Sequence, residues 1–338
     1  MEKNNKTLNV PNLRFPEFSG EWEKGTLQSV ATLSKGTGIS KDQLSEDGQP
    51  CILYGELYTK YKSEIIDVII SKTDIDSQKL VRSQTNDVII PCSGESAVDI
   101  ATARCVKQSD VLLGGDLNII RLKGEHDGSF FAYQLNGKRK YDIAKVAQGV
   151  SVVHLYGEHL KGVKVDYPSA AEQKKISSLL ALIDQRIETQ KKIIEKYESL
   201  IRGLCENLTR QGTANKTINE CLECHSSTLQ ESSVLEDDKY PVYGATGVCG
   251  YTDTPYVSGD GILIIKDGAS VGATSYAEGC YSVIGTLNRL TAKQGINLRY
   301  AYYCLKVMNF APYKTGLAIP HIYFKDYGKH KIWCPSFE

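Results

Sequence analysis

Residues 170–208 read AAEQKKISSLLALIDQRIETQKKIIEKYESLIRGLCENL, and this stretch decides the architecture of the chain. Apolar residues recur in it at the spacing of a heptad repeat, interrupted once by Gln190. Because the run contains no proline, it predicts one helix of about 39 residues and about 58 Å. The apolar stripe consists of Ile176, Leu180, Ile183, Ile187, Ile194, Tyr197, Ile201 and Leu204.

A helix of this length, exposed on all sides, is not stable alone in water, so its apolar stripe needs a partner. One interpretation is a core helix of a single globular domain. We favour a spacer that pairs with another long helix, because two β-rich segments flank it. The predicted organisation is a first head at 1–169, a helix at 170–210 and a second head at 211–338.

Composition places few limits on function. The 338 residues carry 40 basic and 40 acidic side chains, so net charge argues neither for nor against nucleic acid. The start of the chain lacks the pattern of a signal peptide and no run is apolar enough to span a membrane, which predicts a cytoplasmic protein. The ten cysteines are scattered, many of them in apolar runs, as expected of reduced thiols.

The one cysteine cluster is Cys221, Cys224 and His225. The spacing C-x-x-C-H occurs in covalent haem attachment, and C-x-x-C is half of a zinc site. Haem attachment needs an exported protein, and a zinc site needs a second ligand pair that no nearby spacing provides. We therefore favour cysteines that pack a domain, and a metal or haem protein remains the alternative.

The two heads are a tandem duplication, and each predicts an α+β domain of short strands rich in Ile and Val. AQGVSVVHLYGEHLKGVKVDYPS, residues 147–169, aligns without gaps on KTGLAIPHIYFKDYGKHKIWCPS, residues 314–336. Two similar heads are expected to read two similar targets. The paired positions include Gly149 with Gly316, His154 with His321, Tyr156 with Tyr323, Pro168 with Pro335, Asn118 with Asn288 and Gly94 with Gly268.

The repeated segment has the chemistry of a loop that grips a phosphate or a base: glycine allows close backbone approach, and a histidine and a tyrosine follow it. The alternative is that the histidines cap buried hydrogen-bond networks while the tyrosines pack the sheet. Motifs for phosphate loops and zinc proteases are absent from the sequence, as is the Pro-Pro of adenine methyltransferases. Catalysis within this chain is not expected.

Taken together, three features resemble the specificity subunit of type I restriction-modification systems. These are the opening PNLRFPEFSGEW at 11–22, the segment PSAAEQKKISSLLALIDQRIETQKK at 168–192, and the duplicated heads that flank it. The resemblance covers essentially the whole chain. It implies that each head is a target recognition domain that reads one half of a bipartite site in double-stranded DNA.

The same resemblance implies partners and cofactors. The long helix would set the gap between the half-sites and hold two methylation subunits, with restriction subunits completing the complex. The chain itself would have no activity and no cofactor, since S-adenosylmethionine, ATP and Mg would bind to the partner subunits. A helix of about 58 Å is longer than one turn of DNA, about 34 Å, which suits two heads in successive grooves.

One departure concerns the end of the sequence. Members of the family continue into a second long helix, whereas this sequence stops where that helix would begin. We therefore expect a shortened subunit whose helix pairs with another subunit or with a second copy of the chain. A truncated, non-functional remnant and a coiled-coil protein-binding adapter without DNA specificity are the alternatives.

Basic and hydroxyl side chains are expected to contact phosphates, and polar side chains to contact base edges. In the first head the candidate DNA-binding residues are Lys35, Ser93, Glu95, Lys138, Arg139, Lys140, Gln148, Ser151 and His154. In the second head they are Tyr243, Lys266, Ser270, Lys314 and His321.

Overall fold

The computed structural model of the protein describes residues 9–76, 78–149, 152–316 and 318–335. The chain forms two compact units, Met1–Gln190 and Lys191–Glu338, so the boundary lies inside the long helix. Each unit combines small, mostly antiparallel sheets with short helices, which confirms the predicted α+β class.

The described residues of the first unit form many short strands and six short α-helices ahead of the long one. The strands are β1 (Glu23–Thr26), β2 (Ala31–Lys35), β3 (Leu44–Ser45), β4 (Gln49–Ile52), β5 (Ile65–Ile66), β6 (Ser71–Thr73), β7 (Asp87–Pro91), β8 (Ser93–Gly94), β9 (Arg104–Val106), β10 (Leu112–Leu113), β11 (Leu117–Leu122), β12 (Val153–His154) and β13 (Lys164–Tyr167). The helices are α1 (Leu27–Val30), α2 (Glu56–Thr59), α3 (Ala97–Ile100), α4 (Gly128–Asn136), α5 (Lys140–Val146), α6 (Gly157–Lys161) and α7 (Ala170–Thr209).

The main sheet of the first unit has the order β2-β11-β7-β9-β5. Its strand β7, DVIIP, is buried along its whole length, as expected of a Val- and Ile-rich strand covered on both faces. One face packs on helices α1 and α3 to α6, and the other on a cluster around Ile52 and Leu113 from the second sheet. That sheet has the order β10-β4-β6-β3. Two short ladders, β1-β13 and β12-β8, complete the first head.

The second unit contains the end of α7 and a similar set of short elements. The strands are β14 (Lys216–Thr217), β15 (Leu222–Ser226), β16 (Tyr240–Gly244), β17 (Gly247–Thr252), β18 (Val257–Ser258), β19 (Gly261–Ile265), β20 (Thr274–Ala277), β21 (Cys280–Val283), β22 (Leu287–Ala292) and β23 (Lys331–Ile332). The helices are α8 (Ile218–Cys221), α9 (Leu298–Lys306) and α10 (Phe324–Tyr327).

The strand pairing repeats from one head to the other, as the duplicated sequence predicts. The second head has a sheet of order β15-β22-β19-β20, which matches β2-β11-β7-β9 of the first. Helices α1 and α8, which precede the first strands of these sheets, both begin with a threonine capping box. The paired asparagines occupy the same position in both sheets. The matching registers are Asn118 opposite Lys35 and Ile90, and Asn288 opposite Ser226 and Ile264.

The long helix begins at Ala170 and continues for 40 residues, close to the predicted 170–208. Its first turn is fixed to the first head by two buried side chains. Glu172 accepts hydrogen bonds from Arg14 at 2.8 and 2.7 Å. The Gln173 amide accepts from the Asp127 backbone N–H at 3.0 Å and donates to the Pro168 carbonyl at 2.8 Å. These contacts fix where the helix starts.

The apolar stripe of α7 divides into two parts. Ile176 packs against the core of the first head, and Leu180 is half-buried. The remaining six of the eight predicted stripe residues, from Ile183 to Leu204, are 40 to 61% exposed. An exposed apolar row of this length, interrupted once by Gln190, is typical of an interaction surface. In the part of the chain that the structure describes, no helix is long and apolar enough to cross a membrane.

Two segments differ from what their apolar patterns predict. The spacing of Leu27, Val30 and Leu33 predicts a short helix, but α1 ends at Val30 and Leu33 lies in β2. The run EIIDVII at 64–70 predicts a strand, but only Ile65–Ile66 forms one, and Val68 is 72% exposed. In both places the apolar run is too short to determine the secondary structure by itself. Pairing of β2 with β11 and of β5 with β9 determines it instead.

Candidate nucleic-acid interface

In the first head, the structure brings three predicted residues together around His154. Strand β12 pairs with β8, which places His154 opposite Ser93, and the Ser93 hydroxyl lies 3.3 Å from His154 Nδ1. His154 also exchanges backbone hydrogen bonds with Gln148 at 2.8 and 2.7 Å. The histidine is therefore fixed on both sides at the base of a short loop.

The second head repeats this arrangement around His321. His321 exchanges backbone hydrogen bonds with Thr315 at 2.9 and 2.7 Å and pairs with Asp267. Asp267 occupies the position of Ser93, and its carboxylate lies 2.6 Å from His321 Nδ1. A carboxylate at this distance favours the tautomer that carries its proton on Nδ1, in which Nε2 is a hydrogen-bond acceptor. The two loops therefore share a backbone and differ in the chemistry around the ring.

The paired glycines are required by this loop geometry. Gly149 and Gly316 adopt φ values of +122° and +88°, which L side chains rarely adopt. A Cβ on Gly149 would collide with the carbonyl oxygen of Val152, and one on Gly316 with that of Ile319. The close approach seen here is within the chain, and approach of a phosphate or a base to these glycines stays a prediction.

The paired tyrosines do not pack the sheets, so that part of the alternative is wrong. Tyr156 is 52% exposed and Tyr323 is 50% exposed. Tyr156 stacks on His154, with ring centroids 6.2 Å apart and planes at 23°. Lys325 lies over the ring of Tyr323 at 5.3 Å. Exposed rings beside a histidine and a lysine are suited to contact with nucleotide bases or sugars.

The basic triplet has a structural role that the sequence did not indicate. Lys138 and Arg139 both contact the buried carboxylate of Asp166 on β13, Lys138 at 2.9 Å. Burial alone would raise the pKa of Asp166, but these two cations hold it below its usual range. Lys140 begins α5 and is half-buried. These residues remain predicted DNA contacts.

The other predicted residues are spread over strands and loops of the two heads. Lys35 pairs with Asp116 at 3.3 Å on the surface, and Glu95 is exposed just after β8. Ser151 lies outside the described residues. In the second head Tyr243 packs edge-on against Tyr281, while Lys266, Ser270 and Lys314 lie in turns around β19 and His321. Lys266 donates its backbone N–H to Thr286 and accepts from Ile322 beside His321.

The cysteine cluster is divided between two elements. Cys221 ends α8 and is fully buried, whereas Cys224 and His225 lie on β15. His225 Nε2 lies 2.8 Å from the hydroxyl of Thr291. Across the described ranges, no group of three or more His, Cys, Asp or Glu residues is arranged to hold a metal ion.

Sequence reasoning missed Asp267, whose only signal is that it precedes Gly268, the partner of Gly94. It also missed Gln173 as an anchor, because its hydrogen-bond partners Asp127 and Pro168 are backbone groups that no side-chain pattern reveals. Backbone partners of this kind are visible only once the fold places them.

Comparison with known proteins gives consistent matches. The family described as type I restriction modification DNA specificity domain matches the chain twice, at residues 19–199 and 212–338. A putative type I specificity subunit of Mycoplasma pneumoniae is 23% identical over 289 residues, 79% of this chain and 71% of that protein. The specificity subunit of the type I restriction enzyme EcoprrI from Escherichia coli is 27% identical over 128 residues, 36% of this chain and only 32% of that protein.

A solved structure has the same fold. The crystal structure of the S subunit of a type I restriction-modification system from M. genitalium superposes with a TM-score of 0.70 at 20% identity. The superposition covers 97% of this chain and 88% of that one.

Proposed function

Because the chain belongs to the family of type I restriction-modification DNA specificity domains, of which it carries two copies, we propose that it is the DNA-recognition subunit of such a complex. Each head reads one half of a bipartite site in double-stranded DNA. The observation that carries this proposal is the repeated histidine loop, which has one backbone geometry in both heads and different polar partners, Ser93 and Asp267.

The common backbone with different side chains supports reading of two different half-sites. A loop fixed by paired backbone hydrogen bonds holds its side chains in place before DNA arrives, which lowers the ordering cost of binding. The polar group beside each histidine then decides which donors and acceptors face the DNA, and these differ between base edges.

The long helix supplies the docking surface for methylation subunits in this proposal. Its apolar row, exposed beyond Ile183, has the size and heptad spacing of a helix-pairing surface. Self-association through the same row is a further possibility that the proposal includes. Methylation and restriction belong to partner subunits, which would bind S-adenosylmethionine, ATP and Mg. We assign no catalytic activity to the chain and place the complex in the cytoplasm.

Docking is tested by replacing two exposed residues of the row, Ile187→Glu together with Ile194→Glu. We expect the variant to lose co-purification with the methylation subunit while its DNA binding is unchanged, since both side chains lie outside the histidine loops. Replacing the exposed Gln185 with Glu is the matched control, because it adds charge to the same helix outside the row. Full co-purification of the double variant would contradict the proposed docking surface.

DNA recognition is tested by measuring binding of the purified chain to duplex DNA over a range of salt concentrations. For a subunit that contacts phosphates, the logarithm of the binding constant falls linearly with the logarithm of the salt concentration, and the slope is proportional to the number of those contacts. An adapter that binds only protein would show no such binding.

A further inference from the structure

The first head contains a cleft beside its histidine loop. The cleft has a volume of about 760 Å³ and lies between α2 and the segment that includes β8 and α3. Ser93, which contacts His154, is part of its wall. The cleft therefore opens next to the residues proposed to contact DNA.

Arg104 on β9 lines this cleft although it is only 9% exposed. Its Nε is buried and has no hydrogen-bond partner among the described residues. Nη1 contacts the Ala103 carbonyl at 3.3 Å, and the Glu64 carboxylate lies 3.8 Å away, beyond hydrogen-bond distance. Burial lowers the pKa of Arg104, and Glu64 offsets this only in part. A buried guanidinium with so few hydrogen-bond acceptors around it favours a ligand that supplies acceptors.

The remaining walls indicate what kind of acceptor this is. Lys62 adds a second cation, but Glu95 and Asp99 place two carboxylates in the same cleft. These carboxylates disfavour a phosphate. A nucleobase fits, since its edges carry acceptors for Arg104 and donors for a carboxylate, and Tyr54 and Tyr58 supply aromatic surface. Guanine presents both, with O6 and N7 as acceptors and its amino group as a donor.

A base within an intact duplex cannot meet this arginine. The guanidinium is held below the surface, so it cannot extend into a DNA groove, and the base must enter the cleft instead. Enzymes that act on a base inside a pocket draw it out of the stack, and a base that is read inside this cleft has to leave the stack in the same way. The cleft volume lies within the range of pockets that enclose small ligands.

Resting on the proposed function, we propose that the cleft of the first head receives one unstacked nucleobase of its half-site, read by Arg104 and Asp99. Among the described residues of the second head, no arginine stands at the equivalent strand position. Strand register places Arg104 opposite Ile89 in the first head, and at the matching position Ser275 lies opposite Leu263. Only one half of the bipartite site is therefore read through such a base.

The test is a map of methylated adenines in a methylation-free host that expresses the chain with its methylation subunit. For Arg104→Lys and Arg104→Met we expect one position in one half-site to lose base preference by about tenfold or more, while the other half-site is unchanged. The unchanged half is an internal control for folding and assembly. If the Arg104 variants give a methylation motif in which every position keeps its base preference, the inference is overturned.

A second measurement does not depend on a variant that folds. With the wild-type complex, duplexes that carry 2-aminopurine at successive positions of the half-site should show a severalfold rise in fluorescence at one position other than the methylated adenine, which the methylation subunit itself draws out of the stack. Absence of a rise at every position other than the methylated adenine would overturn the inference even if recognition itself is intact. If the wild-type complex yields no bipartite motif, the proposed function fails instead, so the two failures are distinguishable.

Discussion

Replacing Gln173 with alanine should destabilise the first unit by releasing the start of the long helix. Gln173 is 1% exposed and lies in the first turn of α7, where the helix joins the first head. Its amide satisfies the Asp127 N–H at 3.0 Å and the Pro168 carbonyl at 2.8 Å, and it lies 3.2 Å from His126 Nδ1. Truncation leaves these buried groups without their partner.

The magnitude follows from the cost of unsatisfied buried polar groups, about 1 to 3 kcal/mol each. Two backbone groups lose their partner, and partial rehydration of the gap offsets some of the loss, so we expect about 3 kcal/mol. For a unit of about this size, 1 kcal/mol corresponds to about 2 to 4 °C in Tm, which gives a decrease of about 6 to 12 °C.

Differential scanning calorimetry of the full chain measures this change. Gln185→Ala is the matched control, since it removes the same amide from an exposed position of the same helix. Gln173→Glu is a second comparison, because it can still accept from the Asp127 N–H but cannot donate to Pro168. A decrease for Gln173→Ala no larger than that of the control would refute this account of the anchor.

Three further predictions follow from the candidate interface. The pKa of Asp166 is lowered, so its ion pairs stabilise the first head at neutral pH, and this stabilisation is lost as the pH falls through the folded-state pKa. Asp166→Asn should therefore reduce the difference between the free energies of unfolding at about pH 7 and about pH 3, measured by urea unfolding. Gly149→Ala or Gly316→Ala should distort one loop and lower DNA affinity with a cooperative melt retained, and unchanged affinity would contradict the loop assignment. Replacing residues 138–140 together with alanine should weaken DNA binding and reduce the dependence of affinity on salt concentration. Lys140→Ala alone is the control that leaves the contacts of Lys138 and Arg139 to Asp166 intact. An unchanged affinity and an unchanged salt dependence in the triple variant would remove these residues from the interface.

The features that were predictable from the sequence are those that repeat. The helix at 170–209 follows from one uninterrupted apolar period, and the shared strand order follows from a duplication in which Asn118 and Asn288 keep equivalent registers. These signals extend over many residues, so a local exception does not erase them. Family resemblance then gave the role of the heads.

The features that could not be predicted depend on single contacts across long sequence separations. Lys138 and Arg139 look like a free basic patch until β13 brings Asp166 against them. Arg104 looks like an ordinary strand residue until the fold closes over it and leaves Nε without a partner. Burial and pairing of charges are properties of tertiary structure, and the composition of a segment does not report them.

The central claim is that two heads read two half-sites, and mapping methylated adenines tests it most directly. The chain is expressed with its methylation subunit in a methylation-free host, beside His154→Ala and His321→Ala variants. The account predicts a bipartite motif with a fixed gap, in which each variant relaxes a different half. A single continuous motif, or variants that both relax the same half, would contradict it.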